Sequence, residues 1–138
     1  MKLRAFVAAT VLGLASCQQA HVLVPSLPDP GITQAPVERA WVAIEPIQCL
    51  GNPWERDWLA SHQGDYASYP RNKPAEFQII KDYYRRQGVV VYQAATRDRY
   101  QAVCLACSCP EGFTLYLEVR RPDVRTMIGL GYREESPP

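Results

Sequence analysis

The chain has 138 residues, of which 21% are charged and 47% hydrophobic, and its formal net charge is +1 at pH 7. This length fits one small domain with short flanking segments. So balanced a charge gives no electrostatic footprint for nucleic acid or for an anionic membrane surface, and we therefore expect no nucleic-acid partner.

The first residues have the pattern of a secretory leader. Lys2 and Arg4 form a short basic start, and an apolar run from Ala5 to Ala15 follows them. Such a run is too short to span a bilayer as a mature helix and is typical of a cleaved signal peptide. We predict a signal peptide over residues 1–16, whose removal changes the formal net charge to −1.

The leader ends in the sequence LASC at residues 14–17, which resembles the lipobox of bacterial lipoproteins. The resemblance covers the first seventeen residues only. It implies that signal peptidase II cuts before Cys17 and that Cys17 carries the acyl chains, which together form a stable membrane anchor. Gln18 follows the cysteine, and in enteric-type lipoproteins a residue other than Asp at that place is associated with sorting to the outer membrane. The resemblance thus implies a lipid-anchored protein that faces the periplasm.

Proline distinguishes the next segment from the rest of the chain. Pro25, Pro28 and Pro30 exclude a regular helix and favour an extended chain. We therefore predict a proline-rich tether at residues 17–37, which lifts a folded domain off the membrane. The predicted globular domain covers residues 38–132, and residues 133–138 are expected to form a disordered tail.

The predicted domain begins with residues 40–49, whose β-branched and aromatic residues predict a strand that ends near Pro46. A short helix should follow, because Asn52, Pro53 and Glu55 form the pattern of a capping box. Residues 63–73 are expected to form a loop.

A firmer helix is predicted over residues 74–87. Phe77, Ile80 and Tyr84 form an apolar stripe at helical spacing, and Gly88 is a natural end point. Three strands should follow, over residues 89–96, 100–107 and 113–119, the last of which alternates between apolar and polar positions. A short helix within residues 121–132 completes the predicted domain.

This order of elements predicts an α+β fold. We expect a two-layer sandwich, in which two main helices cover one face of a mixed sheet of about four strands. The order also resembles a ferredoxin-like plait without its last strand, a topological likeness that implies no function.

The predicted domain contains four cysteines: Cys49, Cys104, Cys107 and Cys109. Thiols pair in an oxidising compartment, and an even number of them suggests structural disulfides. We expect one long bridge from Cys49 to the cluster at residues 104–109 and one local bridge within that cluster. The sequence does not decide which of the three clustered cysteines pairs with Cys49. The long bridge would contribute about 4 kcal/mol in the chain-entropy model.

Two alternatives remain for these cysteines. A Cys-x-x-Cys-x-Cys cluster can hold zinc or copper(I) through thiolates, with Cys49 or His62 as a further ligand. A redox function is less well supported, because a turn follows the cluster, whereas a helix N-terminus is what lowers a thiol pKa. The favoured function is a non-enzymatic binding or assembly module without cofactor or metal, and the alternative is an envelope metal-binding or thiol-redox protein.

The sequence contains no recognised catalytic motif, such as a nucleophile elbow, a zinc-protease helix or a phosphate loop. Ser61 and His62 are neighbours in the chain, which does not make them a catalytic dyad. Aromatic residues instead suggest a surface that recognises a peptide, a glycan or an envelope protein. The candidates are Trp54, Trp58, Tyr66 and Tyr69. The alternative is that both tryptophans belong to the core.

Overall fold

The computed structural model describes residues 36–138, so that the predicted signal peptide, Cys17 and nearly all of the predicted tether lie outside the described residues. Within that range the chain forms four strands, three α-helices and two short 3₁₀ helices. In chain order they are β1 (Arg39–Ile44), α1 (Pro53–Ser61), a 3₁₀ helix (Tyr66–Ser68), α2 (Lys73–Arg86), β2 (Val91–Asp98), β3 (Phe113–Arg120), a 3₁₀ helix (Arg121–Asp123), α3 (Val124–Gly129) and β4 (Arg133–Glu135).

The four strands form one open sheet in the order β2-β3-β1-β4, and the predicted α+β class is confirmed. The prediction of a mixed sheet was wrong, because every neighbouring pair of strands is antiparallel. Strands β1 and β2 do run parallel to each other, but β3 lies between them and pairs with both. Helices α1 and α2 connect these two parallel strands.

The last strand was not predicted. Residues 133–135 were expected in a disordered tail, yet they form β4 and pair with β1. Their sequence, Arg-Glu-Glu, has no apolar alternation, and the side chains of Arg133 and Glu135 form an ion pair at 2.7 Å. With β4 in place, the strands and helices follow the β-α-β-β-α-β order of the ferredoxin-like plait, except that two helices, α1 and α2, lie between the first two strands.

Residues 100–107 do not form the predicted returning strand but belong to the loop between β2 and β3. Beyond β2, the N–H groups of Arg99 and Tyr100 still donate to the carbonyl of Gly112, at 2.8 and 3.0 Å. The chain then leaves the sheet, because the cysteines that follow are bonded elsewhere. Strand β2 pairs directly with β3, the strand at 113–120, across the base of this loop.

Helix α2 begins and ends within one residue of the bounds predicted from its apolar stripe. Ile80 and Tyr84 are buried, and the Asn72 side chain caps the helix by accepting a hydrogen bond from the backbone N–H of Ala75 at 3.0 Å. Gly88 follows the helix with a φ of 80°, a left-handed conformation that glycine adopts without strain.

The core lies between the helices and one face of the sheet. Its strand residues are two positions apart, which places them on the same face. The core contains Val42, Leu115, Leu117 and Val119 from the strands and Trp54, Ile80, Tyr84, Val124 and Met127 from the helices. All three helices therefore cover one face of the sheet, as expected for the two main ones.

The opposite face of the sheet is covered by ion pairs and rings. The Arg39 guanidinium lies 4.0 Å from the ring centre of Tyr92 and 3.3 Å from the carboxylate of Glu118.

At the C-terminal end of the domain, Tyr132 is buried, and its hydroxyl oxygen lies 2.7 Å from that of Tyr84. This hydrogen bond joins the segment before β4 to α2.

Candidate functional site

Disulfide bonds, predicted from the cysteine count, are present in the structure. Cys49 is bonded to Cys107, 58 positions away, and Cys104 is bonded to Cys109, five positions away. The structure thus has one long bridge from Cys49 and one local bridge. We call residues 104–109 the stapled loop, because its ends are joined to each other and Cys107, inside it, is joined to Cys49.

The stapled loop is exposed except for Cys109. Leu105 has 96% of its surface exposed, more than any other large hydrophobic residue in the described range. Because both disulfides hold the backbone on either side of it, this leucine is presented to solvent by a covalently restrained loop.

The segment after β1 lies against the stapled loop. The side-chain amide of Gln48 donates to the carbonyls of Cys104 and Pro110, at 2.8 and 3.0 Å. The backbone N–H of Glu111 donates to the carbonyl of Pro46 at 2.8 Å. These hydrogen bonds place Glu111 beside the segment that leads into α1.

Asn52 organises the same segment from inside, where only 4% of it is exposed. Its side chain accepts a hydrogen bond from the N–H of Ile47 at 3.0 Å and donates one to the carbonyl of Ile47 at 2.9 Å. The capping box predicted from Asn52 and Glu55 is present at the start of α1. This arrangement supplies hydrogen bonds to the Glu55 carboxylate, which needs them because the residue is only 1% exposed.

Three carboxylates meet at a cavity of about 160 Å³, which we call the acidic pocket. Its polar lining consists of Glu55, Tyr69, Arg71, Lys73, Glu76 and Glu111. Glu55 comes from α1, Glu76 from the first turn of α2, and Glu111 from the turn after the stapled loop. The pocket thus depends on two helix starts and on the disulfide-bonded segment.

The electrostatics of the acidic pocket are dominated by burial. Burial, with the charges of Glu55 and Glu76, raises the pKa of Glu111 to about 7. Burial also raises the pKa of Glu55, although its hydrogen bonds to Asn52 oppose the change. The ammonium of Lys73 lies 2.8 Å from the carboxylate of Glu76. With the exposed Arg71, the lining has two cations and three carboxylates, a net charge of −1 when all are ionised.

Tyr69 lines the acidic pocket with a hydroxyl group that has no hydrogen-bond partner in the described part of the chain. The residue is 5% exposed. Burial and the charges of three pocket carboxylates raise its pKa well above the ordinary value. The Trp54 indole N–H lies near enough to lower that pKa, yet neither atom has a partner with hydrogen-bond geometry. An unpaired buried polar atom costs about 1–3 kcal/mol, and a new hydrogen bond to this hydroxyl would offset part of that cost.

The arrangement can do two things chemically. It can bind a positively charged group through carboxylates, and it can exchange a proton through Glu111, whose pKa of about 7 differs from that of an ordinary carboxyl group. Within residues 36–138, no group of three or more His, Cys, Asp or Glu side chains is arranged to hold a metal ion.

The four aromatic residues predicted as a recognition surface do not form one. Trp54 and Tyr69 are buried, which makes Trp54 a core residue, as the alternative interpretation held. Trp58 is half-buried, meets the Tyr69 ring edge-on at 5.3 Å and stacks on His62 at 3.7 Å. Tyr66 remains well exposed, at 58%.

Ser61 and His62 are hydrogen-bonded, but the pair serves the end of α1. The Ser61 hydroxyl lies 2.9 Å from Nδ1 of His62, and both groups lie within 2.8 Å of the carbonyl of Trp58. An open pocket of about 240 Å³ adjoins them, where the carboxylate of Asp57 is paired with Arg86. A carboxylate engaged in this way does not orient the imidazole for catalysis.

Sequence reasoning missed Glu76 and Glu111 as site residues, although it identified Glu55 as part of a helix cap. The two missed residues lie far apart in the chain, and only the fold brings them together. One signal was available for Glu76, which lies four positions before Ile80 and therefore on the buried side of α2.

No family model matches this sequence, and no curated protein or solved structure is similar to it. Among residues 36–138, no helix has both the length and the apolar character needed to cross a membrane.

Proposed function

We propose that the protein is a lipid-anchored binding or assembly module of the bacterial cell envelope, and that its disulfide-stapled domain contacts an envelope protein or peptide. The observation that carries the proposal is the presentation of Leu105, 96% exposed, on a loop held by two disulfides. Burial of an exposed leucine by a partner is favourable by about 1.5–3 kcal/mol. A restrained loop also loses little conformational entropy when it binds.

The address rests on the lipobox-like residues 14–17, with Cys17 as the lipidated residue. The disulfides support it, because such bonds persist in oxidising compartments such as the periplasm. By resemblance to enteric-type lipoproteins, Gln18 favours the outer membrane as the site of anchoring.

A binding function is favoured over metal or thiol chemistry because Cys49, Cys104, Cys107 and Cys109 are all in disulfides. Thiolates are the form in which cysteine binds metals and attacks disulfides. In this state the cluster supplies none.

The partner contact can be tested by photo-crosslinking in cells. A benzophenone amino acid is placed at Leu105 and, as a matched control, at Leu130, which is 43% exposed at the end of α3. We expect a discrete adduct from position 105 and none of that mass from position 130. The same adducts from both positions, or none from position 105, would refute the contact.

The anchor is tested separately with Cys17→Ser. We expect the variant to lose incorporation of an alkyne-labelled fatty acid and to leave the membrane fraction. Unchanged labelling and unchanged fractionation would show that Cys17 is not the lipidated residue.

A further inference from the structure

We propose that the acidic pocket is a binding site for a primary ammonium group on a short alkyl chain, with Glu111, Glu76 and Tyr69 as the groups that accept its hydrogen bonds. This site goes beyond the proposed function, since it depends neither on the lipid anchor nor on the contact at Leu105. It rests on the charge, construction and size of the pocket and on one unpaired buried hydroxyl.

The first argument is charge. Glu55, Glu76 and Glu111 face one cavity, whereas Lys73 is the only cation of the lining that is not highly exposed. Lys73 is already engaged, because its ammonium bonds Glu76 and lies 3.9 Å from the ring centre of Phe113. A second ammonium in the cavity would balance the remaining negative charge.

The second argument is that the pocket is built and not a cluster of loose surface acids. Glu55 is 1% exposed and Glu76 is 8% exposed. Two hydrogen bonds from Asn52, at 2.8 and 2.7 Å, hold the carboxylate of Glu55. The carboxylate of Glu111 makes no hydrogen bond and no ion pair within residues 36–138, although its backbone is held by Pro46. It therefore has acceptor capacity left for a ligand.

The third argument is the hydroxyl of Tyr69, which is independent of the acids. It belongs to a residue that lines the pocket and is 95% buried, and it lacks a hydrogen-bond partner in the described part of the chain. A primary ammonium carries three N–H donors and no acceptor. Two carboxylates and the oxygen of Tyr69 would satisfy all of them.

Size selects the rest of the ligand. A cavity of about 150 Å³ in another protein admits benzene, and the acidic pocket encloses about 160 Å³. Leu50 and Pro70 supply apolar lining beside the acids. An alkyl chain of a few carbons fits that lining, whereas the arrangement of the acids does not suit a metal ion.

Binding of an ammonium should be linked to a proton. Glu111, whose pKa is about 7, must be ionised to pair with the ligand, and burial also raises the pKa of Glu55. The other charged groups facing Glu111 are Glu76 and Lys73 of α2, and Arg71 of the preceding loop. Affinity should therefore increase as the pH rises from about 5 to about 8.

The experiment uses the full-length chain in a mild non-ionic detergent, with n-butylammonium as the ligand and isothermal titration calorimetry as the measurement. The neutral alcohol n-pentanol is the uncharged probe of similar size. We expect saturable binding of the ammonium at pH 8, binding at least about tenfold weaker at pH 5, and none of the alcohol over the same range.

Variants separate the pocket from the rest of the surface. Glu111→Gln and Tyr69→Phe should each weaken ammonium binding, the former by about tenfold or more because its hydrogen bond is charge-assisted. Glu134→Gln, an exposed carboxylate on β4, should leave binding unchanged. Thermal unfolding of each variant checks that the domain is folded.

Three results would each overturn the proposal. They are no saturable binding by the wild-type chain at pH 8, equal binding of the neutral alcohol, and full affinity in the folded Glu111→Gln variant. Ammonium binding together with a failed cross-link at Leu105 would refute the contact at the stapled loop and leave the pocket standing, so that the two proposals fail separately.

Discussion

Glu55 accepts hydrogen bonds from both the backbone N–H and the side-chain amide of Asn52, at 2.8 and 2.7 Å. Asn52 in turn bonds both backbone groups of Ile47. The start of α1, the segment that carries Cys49 and one wall of the acidic pocket are therefore a single hydrogen-bonded unit. A change at Asn52 should affect all of them at once.

Replacement of Asn52 with Ala should lower the free energy of unfolding by about 1–3 kcal/mol, because it removes one of the two hydrogen bonds to the buried carboxylate of Glu55 and leaves both backbone groups of Ile47 without their side-chain partner. Urea unfolding measures the effect. The matched control is Asn72→Ala, an exposed cap of α2, which should cost about 1 kcal/mol. An equal or smaller effect at Asn52 would contradict the importance of this unit.

Stability should fall as the pH rises from about 4.5 to about 7. The ordinary pKa of Glu111 is 4.5 and the folded value is about 7, so that the native state holds a proton which the unfolded state has released in this window. By linkage, the state that binds more protons loses stability as the pH increases. Glu55, whose pKa is also raised, acts in the same direction.

Glu111→Gln should reduce this pH dependence and raise the urea midpoint at pH 8 relative to the wild type, since the carboxyl group at position 111 then no longer has to ionise in the folded state. Glu134→Gln, outside the pocket, should retain the wild-type slope. The measurement is the urea midpoint at several pH values between 4.5 and 8. A stability that rises over this range in the wild type would show that the environment of Glu111 does not disfavour its charge.

The two disulfides should differ in their contribution to stability. In the chain-entropy model, the long bridge contributes about 4 kcal/mol and the local bridge about 2 kcal/mol. The double variants Cys49→Ala/Cys107→Ala and Cys104→Ala/Cys109→Ala remove each bridge without leaving an unpaired thiol. Urea unfolding should show the larger loss for the first, and the reverse order would mean that native contacts outweigh loop closure.

Tyr84 and Tyr132 should show non-additive effects. Either single change to Phe leaves a buried hydroxyl without its partner, at a cost of about 1–3 kcal/mol, whereas changing both removes the two polar groups together. We expect the double variant to be less destabilised than the sum of the single variants. Additive losses would show that each hydroxyl has another hydrogen-bond partner in the folded state.

The sequence predicted the helices and strands whose own residues show a clear hydrophobic pattern. The apolar stripe of α2, with Ile80 and Tyr84 four positions apart, predicted a helix that the structure confirms. Strand β3 alternates so clearly because one of its faces packs on the core. By contrast, residues 100–107 were predicted to form a strand, although the covalent bonds of the cysteines in this segment direct it out of the sheet.

Strand β4 was unpredictable from its own residues, because its pairing with β1 and its charge pairs stabilise three consecutive charged side chains. The same limit applies to the acidic pocket. Glu55 had a local role as a cap, but the approach of Glu76 and Glu111 is a property of the tertiary fold. The unpaired hydroxyl of Tyr69 becomes visible only when burial and partners are known.

The order of the cysteines along the chain has a consequence for how the protein matures. The native bonds join Cys49 to Cys107 and Cys104 to Cys109, so that neither bond joins consecutive cysteines. A chain that is threaded N-terminus first into an oxidising compartment exposes Cys49 and then Cys104 before Cys107 emerges. Oxidation in that order gives the wrong pair first, and thiol–disulfide exchange must then rearrange it. With the envelope location proposed above, maturation should therefore be slow in cells that lack a disulfide isomerase and normal in cells that contain one.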